Sequence, residues 1–277
     1  MTQRTILVTG ASDGIGAATA RALAERGDRV LLTGRSPAKL AAVAASTGGE
    51  ACPADFARLD DVRALAGWVR ERTDRLDVLA NNAGGIFAQR AVTVDGNERT
   101  LQVNHLAGFL LTNLLLDLVV AARGTVVNTA SAAADKYGRL DLMDLDSARS
   151  YKPTTAYGNA KFATMLFARS LHGRFGGDGV RAVAIYPGDV ASNFAKDTGT
   201  TSMKLFYKGP LALFLKTPED GAANLTWAME STAARSGETY TERRALPRKR
   251  HPQMDDAALA DALWAESERR VGFSQEV

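Results

Sequence analysis

The chain has 277 residues, with 45% hydrophobic and 23% charged residues, which suits one large globular α/β domain. A net charge of +3 argues only weakly for a polyanionic partner, and the single cysteine, Cys52, excludes an internal disulfide. The histidines stand far apart in sequence, so no zinc or iron site is expected.

The predicted elements alternate between short apolar runs and helical patterns. Strands are predicted at 5–9, 30–32, 51–53, 76–80, 125–128 and 180–185, and around Tyr240. Helices are predicted to about residue 26 after the first turn, from Ser36 onward, and at 59–72, 98–122, 155–174, 218–230 and 257–270. Residues 132–154 are interpreted as an insertion, and 189–217 as a lid over the substrate.

Strands with almost uninterrupted apolar runs, separated by helices, indicate a parallel sheet covered on both faces. We therefore predict an α/β fold: a single-domain, Rossmann-type, doubly wound sheet of about seven strands spanning 1–277. Such a sheet binds ligands beyond the carboxyl ends of its strands. The loops that follow the strands are thus the places to look for chemistry.

The sequence also gives expectations for the compartment and the partners of the protein. No segment reaches the run of about 18 apolar residues that a membrane span needs. No charged region followed by an apolar stretch marks a signal peptide at the start. We expect a cytoplasmic protein with no membrane and no nucleic-acid partner, and interpret the basic residues between 243 and 250 as a solvated loop.

A glycine-rich turn, T-G-A-S-D-G-I-G, occupies residues 9–16 after the first strand. Its glycines permit close approach of the backbone to a pyrophosphate, and the helix that follows offers unpaired N–H groups. A tight turn without a ligand has the same pattern. The predicted cofactor contacts are Gly10, Ser12, Asp13, Gly14, Ile15 and Gly16.

The ends of the next strands extend this predicted site. No carboxylate that would bind an adenosine ribose ends strand two, and Arg35 stands there instead. Since an arginine can meet a 2′-phosphate, we predict that NADP(H) is preferred over NAD(H) by roughly ten- to a hundredfold. Asp55 could accept from an adenine amino group. In N-N-A-G at 81–84, the residues Asn82, Ala83 and Gly84 fit a pocket wall or a simple turn.

Tyr157 and Lys161 are four residues apart in a predicted helix and so share one face. A phenol has an ordinary pKa of about 10, and a neighbouring cation lowers it. The pair can therefore act as a proton donor and acceptor near neutral pH. Taken alone, the same spacing also fits simple packing.

Together these motifs resemble the short-chain dehydrogenase/reductase family. The resemblance rests on T-G-x-x-x-G-x-G at 9–16, N-N-A-G at 81–84, Asn104, Ser131, Y-x-x-x-K at 157–161 and P-G at 187–188, which follow the family's order. Residues 103–115 and the long gap between Ser131 and Tyr157 are most similar to the retinol-dehydrogenase-like and protochlorophyllide-reductase-like branch. So is the closing L-W-x-x-S-E at 263–268.

The resemblance implies a role for each matched residue. Tyr157 would be the general acid in reduction and the general base in oxidation, with Lys161 lowering its pKa and holding the nicotinamide ribose. Ser131 would hydrogen-bond the substrate oxygen, and Asn104 would support a water-linked proton path to Lys161. Around the nicotinamide it implies contacts from Pro187, Gly188, Val190 and Ser192.

The predicted function is an NADP(H)-dependent oxidoreductase that interconverts a carbonyl and an alcohol on a bulky apolar or aromatic small molecule. The apolar and aromatic residues of the lid suit such a substrate, although they could also simply pack. The alternative is a non-catalytic dinucleotide-binding regulator of the same fold. An epimerase or dehydratase is disfavoured by the short region after Gly188. A homo-oligomer formed through the helices at 98–122 and 155–174 is left open.

Overall fold

The computed structural model describes residues 3–188, 190, 216–247 and 251–274. Its strands are β1 (Thr5–Thr9), β2 (Arg29–Gly34), β3 (Glu50–Pro53), β4 (Val78–Asn81), β5 (Thr125–Thr129), β6 (Arg181–Tyr186), β7 (Thr239–Thr241) and β8 (Arg244–Ala245). They form one sheet in the order β3-β2-β1-β4-β5-β6-β7-β8. Strands β1 to β7 are parallel, and the short β8 is antiparallel at the edge. The predicted doubly wound fold is confirmed, with this edge strand in addition.

Ten α-helices and two other helical turns are found in the described part of the chain. The helices are α1 (Gly14–Glu25), α2 (Pro37–Thr47), α3 (Leu59–Arg70), α4 (Arg99–Leu101), α5 (Ala107–Leu114), α6 (Leu116–Ala122), α7 (Ala132–Tyr137), α8 (Pro153–Phe175), α9 (Pro218–Glu230) and α10 (Ala257–Val271). A π-helical turn (Gln102–Leu106) joins α4 to α5, and Leu142–Asp144 forms a 3₁₀ turn.

The sheet separates two apolar cores. Successive side chains of a strand point to opposite faces, so Leu7 packs in one core while its neighbours Ile6 and Val8 pack in the other. Helices α3, α5, α8 and α10 cover the first face, and α1, α2 and α9 cover the second. Because both faces are covered by helices, the central strands are buried on both sides and their middle residues are apolar.

The prediction of one continuous helix over 98–122 is wrong. The chain bends by 62° at Leu115, between α5 and α6. Just before the bend, the side chains of Thr112 and Asn113 donate to the carbonyls of Gly108 and Phe109, at 2.7 and 2.8 Å. Side-chain bonds to the carbonyl four residues back compete with the helix backbone and bend it.

No single helix among the described residues is long and apolar enough to cross a bilayer. The bent pair Arg99–Leu114 and Leu116–Ala122 passes that test jointly, by length and composition.

Two predicted segments have different outcomes. The insertion at 132–154 contains α7, which packs against α8 so closely that a Cβ on Gly158 would lie 2.7 Å from the Ala133 carbonyl oxygen. The predicted lid at 189–217 lies almost entirely outside the described residues. Its two ends are described, where Val190 and Lys216 pair as a parallel β-bridge.

Candidate active site

A cleft of about 1070 Å³ opens at the carboxyl ends of the parallel strands. It includes the point where the strand order reverses, between β1 and β4, as expected for a doubly wound sheet. The predicted site residues that line it are Gly10, Ser12, Asp13, Gly14, Ile15, Gly16, Arg35, Asn82, Ala83, Gly84, Ser131, Tyr157, Lys161, Pro187, Gly188 and Val190. Ser192 lies outside the described residues.

The glycine-rich turn is tight for steric reasons. Gly10 has φ +66°, and a Cβ there would lie 2.9 Å from the Ala83 Cα. A Cβ on Gly16 would lie 2.2 Å from the Gly10 carbonyl oxygen. The turn therefore brings bare backbone to the cleft, which is what close approach to a pyrophosphate requires.

Thr9 connects this turn to the loop after β4, a role that the sequence reasoning missed. Its fully buried hydroxyl accepts from the backbone N–H groups of Asn82 and Ala83, both at 2.9 Å, and donates to the Ala80 carbonyl at 3.0 Å. The Asn82 side chain donates in return to the Thr9 carbonyl, at 3.0 Å. The sequence does contain a signal for this role, because Thr9 is the first residue of the glycine-rich motif.

Asp13 lies at the N-terminus of α1, where its carboxylate accepts from the Gly14 N–H at 2.8 Å. The same carboxylate pairs with Lys39 on α2, at 2.5 Å. A carboxylate is favourable at the positive end of a helix dipole. Lys39 adds a second basic residue to this end of the cleft that the sequence reasoning did not select.

Arg35 is exposed at the end of β2 and lines the cleft beside Ser12 and Lys39. Of the described residues that line the cleft, the acidic ones are Asp13, which pairs with Lys39, and Glu242, which pairs with Lys216. The rim at Arg35 is therefore basic. This arrangement suits an extra phosphate.

Asp55 is placed beside the cleft, between two residues that line it, Ala54 and Phe56. Its carboxylate accepts from the Ala57 N–H at 3.0 Å, and its own N–H donates to Asp61 at 3.0 Å. These bonds shape the turn before α3. Its contact with adenine stays a prediction.

Asn104 lies in the π-helical turn between α4 and α5, 6% exposed. Its amide nitrogen donates to the carbonyls of Gly85 and Thr100, both at 2.8 Å, and its amide oxygen accepts from the Gly85 N–H at 3.0 Å. Asn104 therefore holds the loop after β4 by two bonds to Gly85. Such π-helical turns occur frequently at functional sites.

Lys161 is buried on α8, with 2% of its surface exposed. Its Nζ donates to the Thr129 carbonyl at 2.8 Å and lies 5.7 Å from the centre of the Tyr157 ring. Burial lowers the pKa of this amine to about 7. An ammonium has three N–H donors, so Lys161 can hold the Thr129 carbonyl and still bind ribose hydroxyls.

Ser131 and Tyr157 complete the reactive end of the cleft. Ser131 follows β5 and starts α7, where its Oγ accepts from the Ala133 N–H at 3.2 Å. Its hydroxyl proton can therefore be donated to a substrate oxygen. Tyr157 is 8% exposed, and both side chains line the same cleft as Lys161. A substrate oxygen placed between the two hydroxyls could receive a hydrogen bond and a proton.

The loop after β6 forms the remaining wall. The Pro187 carbonyl accepts from the Asn224 side chain at 3.2 Å, which fixes the chain as it leaves the strand. Gly188 has φ +96°, in the left-handed region that favours glycine. Val190 is buried, and a Cβ on Gly221 would touch both Val190 and Ile15. Val190 of this loop and Ile15 of the glycine-rich turn therefore both lie against α9 at Gly221.

The profile of the short chain dehydrogenase family matches residues 4–202. The chain belongs to this family. The predicted resemblance is thus confirmed, including its retinol-dehydrogenase-like branch, and the protein is an oxidoreductase of a family that uses nicotinamide dinucleotides.

Two relatives resemble the chain over nearly its whole length. A candidate daunorubicin C-13 ketoreductase, DnrU, from Streptomyces sp. (strain C5) is 41% identical, over 97% of this chain and 93% of its own. Retinol dehydrogenase 13 from Homo sapiens is 36% identical, over 98% of this chain and 85% of its own.

Two solved structures are similar as well. An uncharacterized protein from Mycobacterium Paratuberculosis has a TM-score of 0.79 at 33% identity, covering 100% of this chain and 96% of its own. The Pseudomonas aeruginosa RhlG/NADP active-site complex has a TM-score of 0.68 at 26% identity, covering 87% and 95%.

Proposed function

We propose that this protein is an NADP(H)-dependent oxidoreductase that interconverts a carbonyl and an alcohol on a bulky apolar or aromatic small molecule. The observation that carries the proposal is the convergence of Ser131, Tyr157 and Lys161 in one cleft with the glycine-rich turn. These residues come from three separate stretches of the chain, and packing alone does not require them to meet.

The cleft suits a nicotinamide dinucleotide on steric grounds. A side chain at Gly10 or Gly16 would collide with neighbouring backbone, so the wall there is bare backbone. The turn and the N-terminus of α1 would hold the pyrophosphate, and Lys161 would hold the nicotinamide ribose. When bound, the nicotinamide supplies or accepts the hydride.

The chain's own residues would manage the proton. In reduction, the Tyr157 hydroxyl would donate its proton to the substrate oxygen, and Ser131 would hold that oxygen by a hydrogen bond. In oxidation, Tyr157 would take the proton back. Lys161 in its charged form would favour the phenolate.

A preference for NADP(H) is supported by the basic rim at Arg35. The guanidinium is exposed at the end of β2, where an acidic residue would instead favour the unphosphorylated ribose. The solved NADP complex of a structural neighbour is consistent with this choice.

A bulky apolar substrate is supported by the side of the cleft near Tyr157. The cleft that holds Tyr157 is lined by several apolar and aromatic residues, among them Ile86, Phe87, Val103, Tyr137 and Tyr186. Two relatives are named as a candidate daunorubicin C-13 ketoreductase and as a retinol dehydrogenase, and both names fit the interconversion of a carbonyl and an alcohol.

The test is a panel of aromatic and aliphatic ketones and aldehydes, with NADPH consumption followed by fluorescence. The wild-type protein should consume NADPH with at least one bulky carbonyl. Tyr157→Phe should abolish turnover, because the proton donor is lost, while NADPH still binds. Near-normal rates in that variant would refute the mechanism. Binding by the wild type without consumption across the panel would favour a non-catalytic regulator.

A further inference from the structure

The C-terminal helix α10 carries the L-W-x-x-S-E motif at 263–268, which the proposed reaction does not use. Trp264 anchors the helix, 4% exposed, with its ring 4.9 Å from that of Phe109 on α5 and 5.7 Å from that of Phe167 on α8. The helix therefore packs behind the site, against the same segment that contains Asn104.

Ser267 of α10 contacts the residue next to Asn104. Its Oγ lies 3.0 Å from Nε2 of His105 and donates to the Leu263 carbonyl at 2.7 Å. Since that bond uses the only hydroxyl proton, Nε2 of His105 must be the donor to Ser267. Burial lowers the pKa of His105 to about 3, so the ring is neutral and carries its proton on Nε2.

Arg270, three residues further on α10, fixes the start of the same segment. Its two terminal nitrogens bind the two carboxylate oxygens of Asp146, at 2.9 and 2.8 Å. Asp146 in turn accepts from the Glu98 N–H at 2.9 Å, and Glu98 caps α4 by accepting from the Leu101 N–H at 2.9 Å. Ser267 and Arg270 share one face of α10 and together hold the segment on both sides of Asn104.

Asn104 connects this segment, through the loop after β4, to the surroundings of the Lys161 amine. Its two bonds to Gly85 fix the loop after β4, and Gly84 lies in that loop between Asn104 and Lys161. A Cβ on Gly84 would lie 2.6 Å from Oδ1 of Asn104 and 3.0 Å from Nζ of Lys161. A shift of Asn104 would therefore open space directly beside Nζ.

We propose that Ser267 and Arg270 are positioning residues, which hold the Asn104 turn and thereby keep Lys161 Nζ in its buried place beside Tyr157. This inference rests on the proposed function for its effect on turnover. Helix α10 would thus affect catalysis although it lies on the far side of Asn104 from the cleft.

The experiment compares Ser267→Ala and Arg270→Met with Arg270→Lys, which keeps a cation for Asp146. The control is Arg174→Met, which removes different contacts with α10, namely the stacking of Arg174 on Trp264 at 4.5 Å and its ion pair with Asp261 at 3.1 Å. For each variant we measure thermal stability, kcat and KM for a carbonyl found in the panel, and NADPH affinity as a function of pH. Ser267→Ala removes one hydroxyl and should fold.

We expect kcat to fall about ten- to a hundredfold in Ser267→Ala and Arg270→Met, the effect of a small misplacement far from the reacting atoms. KM for the carbonyl should change little, and Arg270→Lys should keep most of the rate. Displacing Nζ towards the cleft should lessen its burial and return its pKa towards the ordinary value. NADPH binding should then begin to weaken at a higher pH than in the wild type, where Lys161 has a pKa of about 7. In the described part of the chain, the titratable Tyr157 ring lies 5.7 Å from this amine, and burial is the cause of the lowered pKa.

Variants that match Arg174→Met in kcat and in the NADPH titration would overturn the proposal, since α10 would then only stabilise the fold. A wild-type protein that binds NADPH without turning over any carbonyl would refute the proposed function instead. In that case the NADPH titration alone decides: a higher onset pH in Ser267→Ala supports the positioning role, and an unchanged one rejects it.

Discussion

Thr9 and Thr33 are register partners on β1 and β2, and both are fully buried, but their hydroxyl groups differ in hydrogen bonding. The Thr9 hydroxyl makes three hydrogen bonds that tie β1 to the loop after β4. The Thr33 hydroxyl has no hydrogen-bond partner among the described residues. Two identical residues at matched positions therefore differ in what each contributes to the site.

Thr9→Val should destabilise the protein by about 1–3 kcal/mol, because it leaves buried N–H groups of Asn82 and Ala83 without acceptors. It should also weaken NADPH binding, since the loop after β4 loses its anchor. Thr33→Val is the matched control and should be neutral or stabilising. Denaturant unfolding and NADPH fluorescence check both; equal destabilisation by the two substitutions would contradict the assigned role.

Gly84→Ala should reduce kcat strongly while the protein stays folded, because its Cβ would meet Oδ1 of Asn104 at 2.6 Å and Nζ of Lys161 at 3.0 Å. A comparable change in α3, Gly67→Ala, meets no atom within 4 Å and should raise stability by about 0.5–1 kcal/mol through helix propensity, without loss of activity. Steady-state kinetics and thermal melts separate the two. Wild-type kcat in Gly84→Ala would show that Nζ tolerates displacement.

Lys161→Met should stabilise the cofactor-free protein while abolishing catalysis. Burial lowers the pKa of Lys161 to about 7, whereas its pKa in the unfolded chain is about 10.4. The unfolded state thus binds more protons between these values, so the wild type gains stability as pH rises through this window. The advantage of the variant should be a few kcal/mol at or below pH ~7, at about 1.4 kcal/mol per pKa unit, and shrink towards pH ~10.

Urea unfolding of the wild type and Lys161→Met at a series of pH values measures that difference. A gain that stays constant with pH would mean that burial of the charge is not its source.

Arg35→Asp should weaken NADPH binding roughly ten- to a hundredfold, because one charge-assisted contact with the 2′-phosphate is lost and a like charge is added. NADH affinity should change far less, since NADH has no phosphate at that position. Fluorescence titration with both cofactors gives the ratio directly. Equal effects on the two would remove Arg35 from the phosphate site.

The sequence alone determined the layout of the fold and the end of the sheet that holds the site. Local patterns were sufficient for this, because apolar strand runs, the glycine-rich turn and the four-residue spacing of Tyr157 and Lys161 are encoded in short stretches. Contacts between distant stretches were not visible. The break at Leu115 was missed because the apolar pattern continues across it, and the competing bonds of Thr112 and Asn113 depend on the folded helix.

Only the tertiary structure decided how Lys161 is held and what holds Asn104. The acceptor for Lys161 is a backbone carbonyl, that of Thr129, and carbonyls leave no mark in a sequence. Ser267 and His105 are 162 residues apart, and a hydrogen bond over that separation exists only once the sheet has brought α10 against α5 and α8. Residue types could name the reactive groups, but their burial and support come from packing that no short stretch contains.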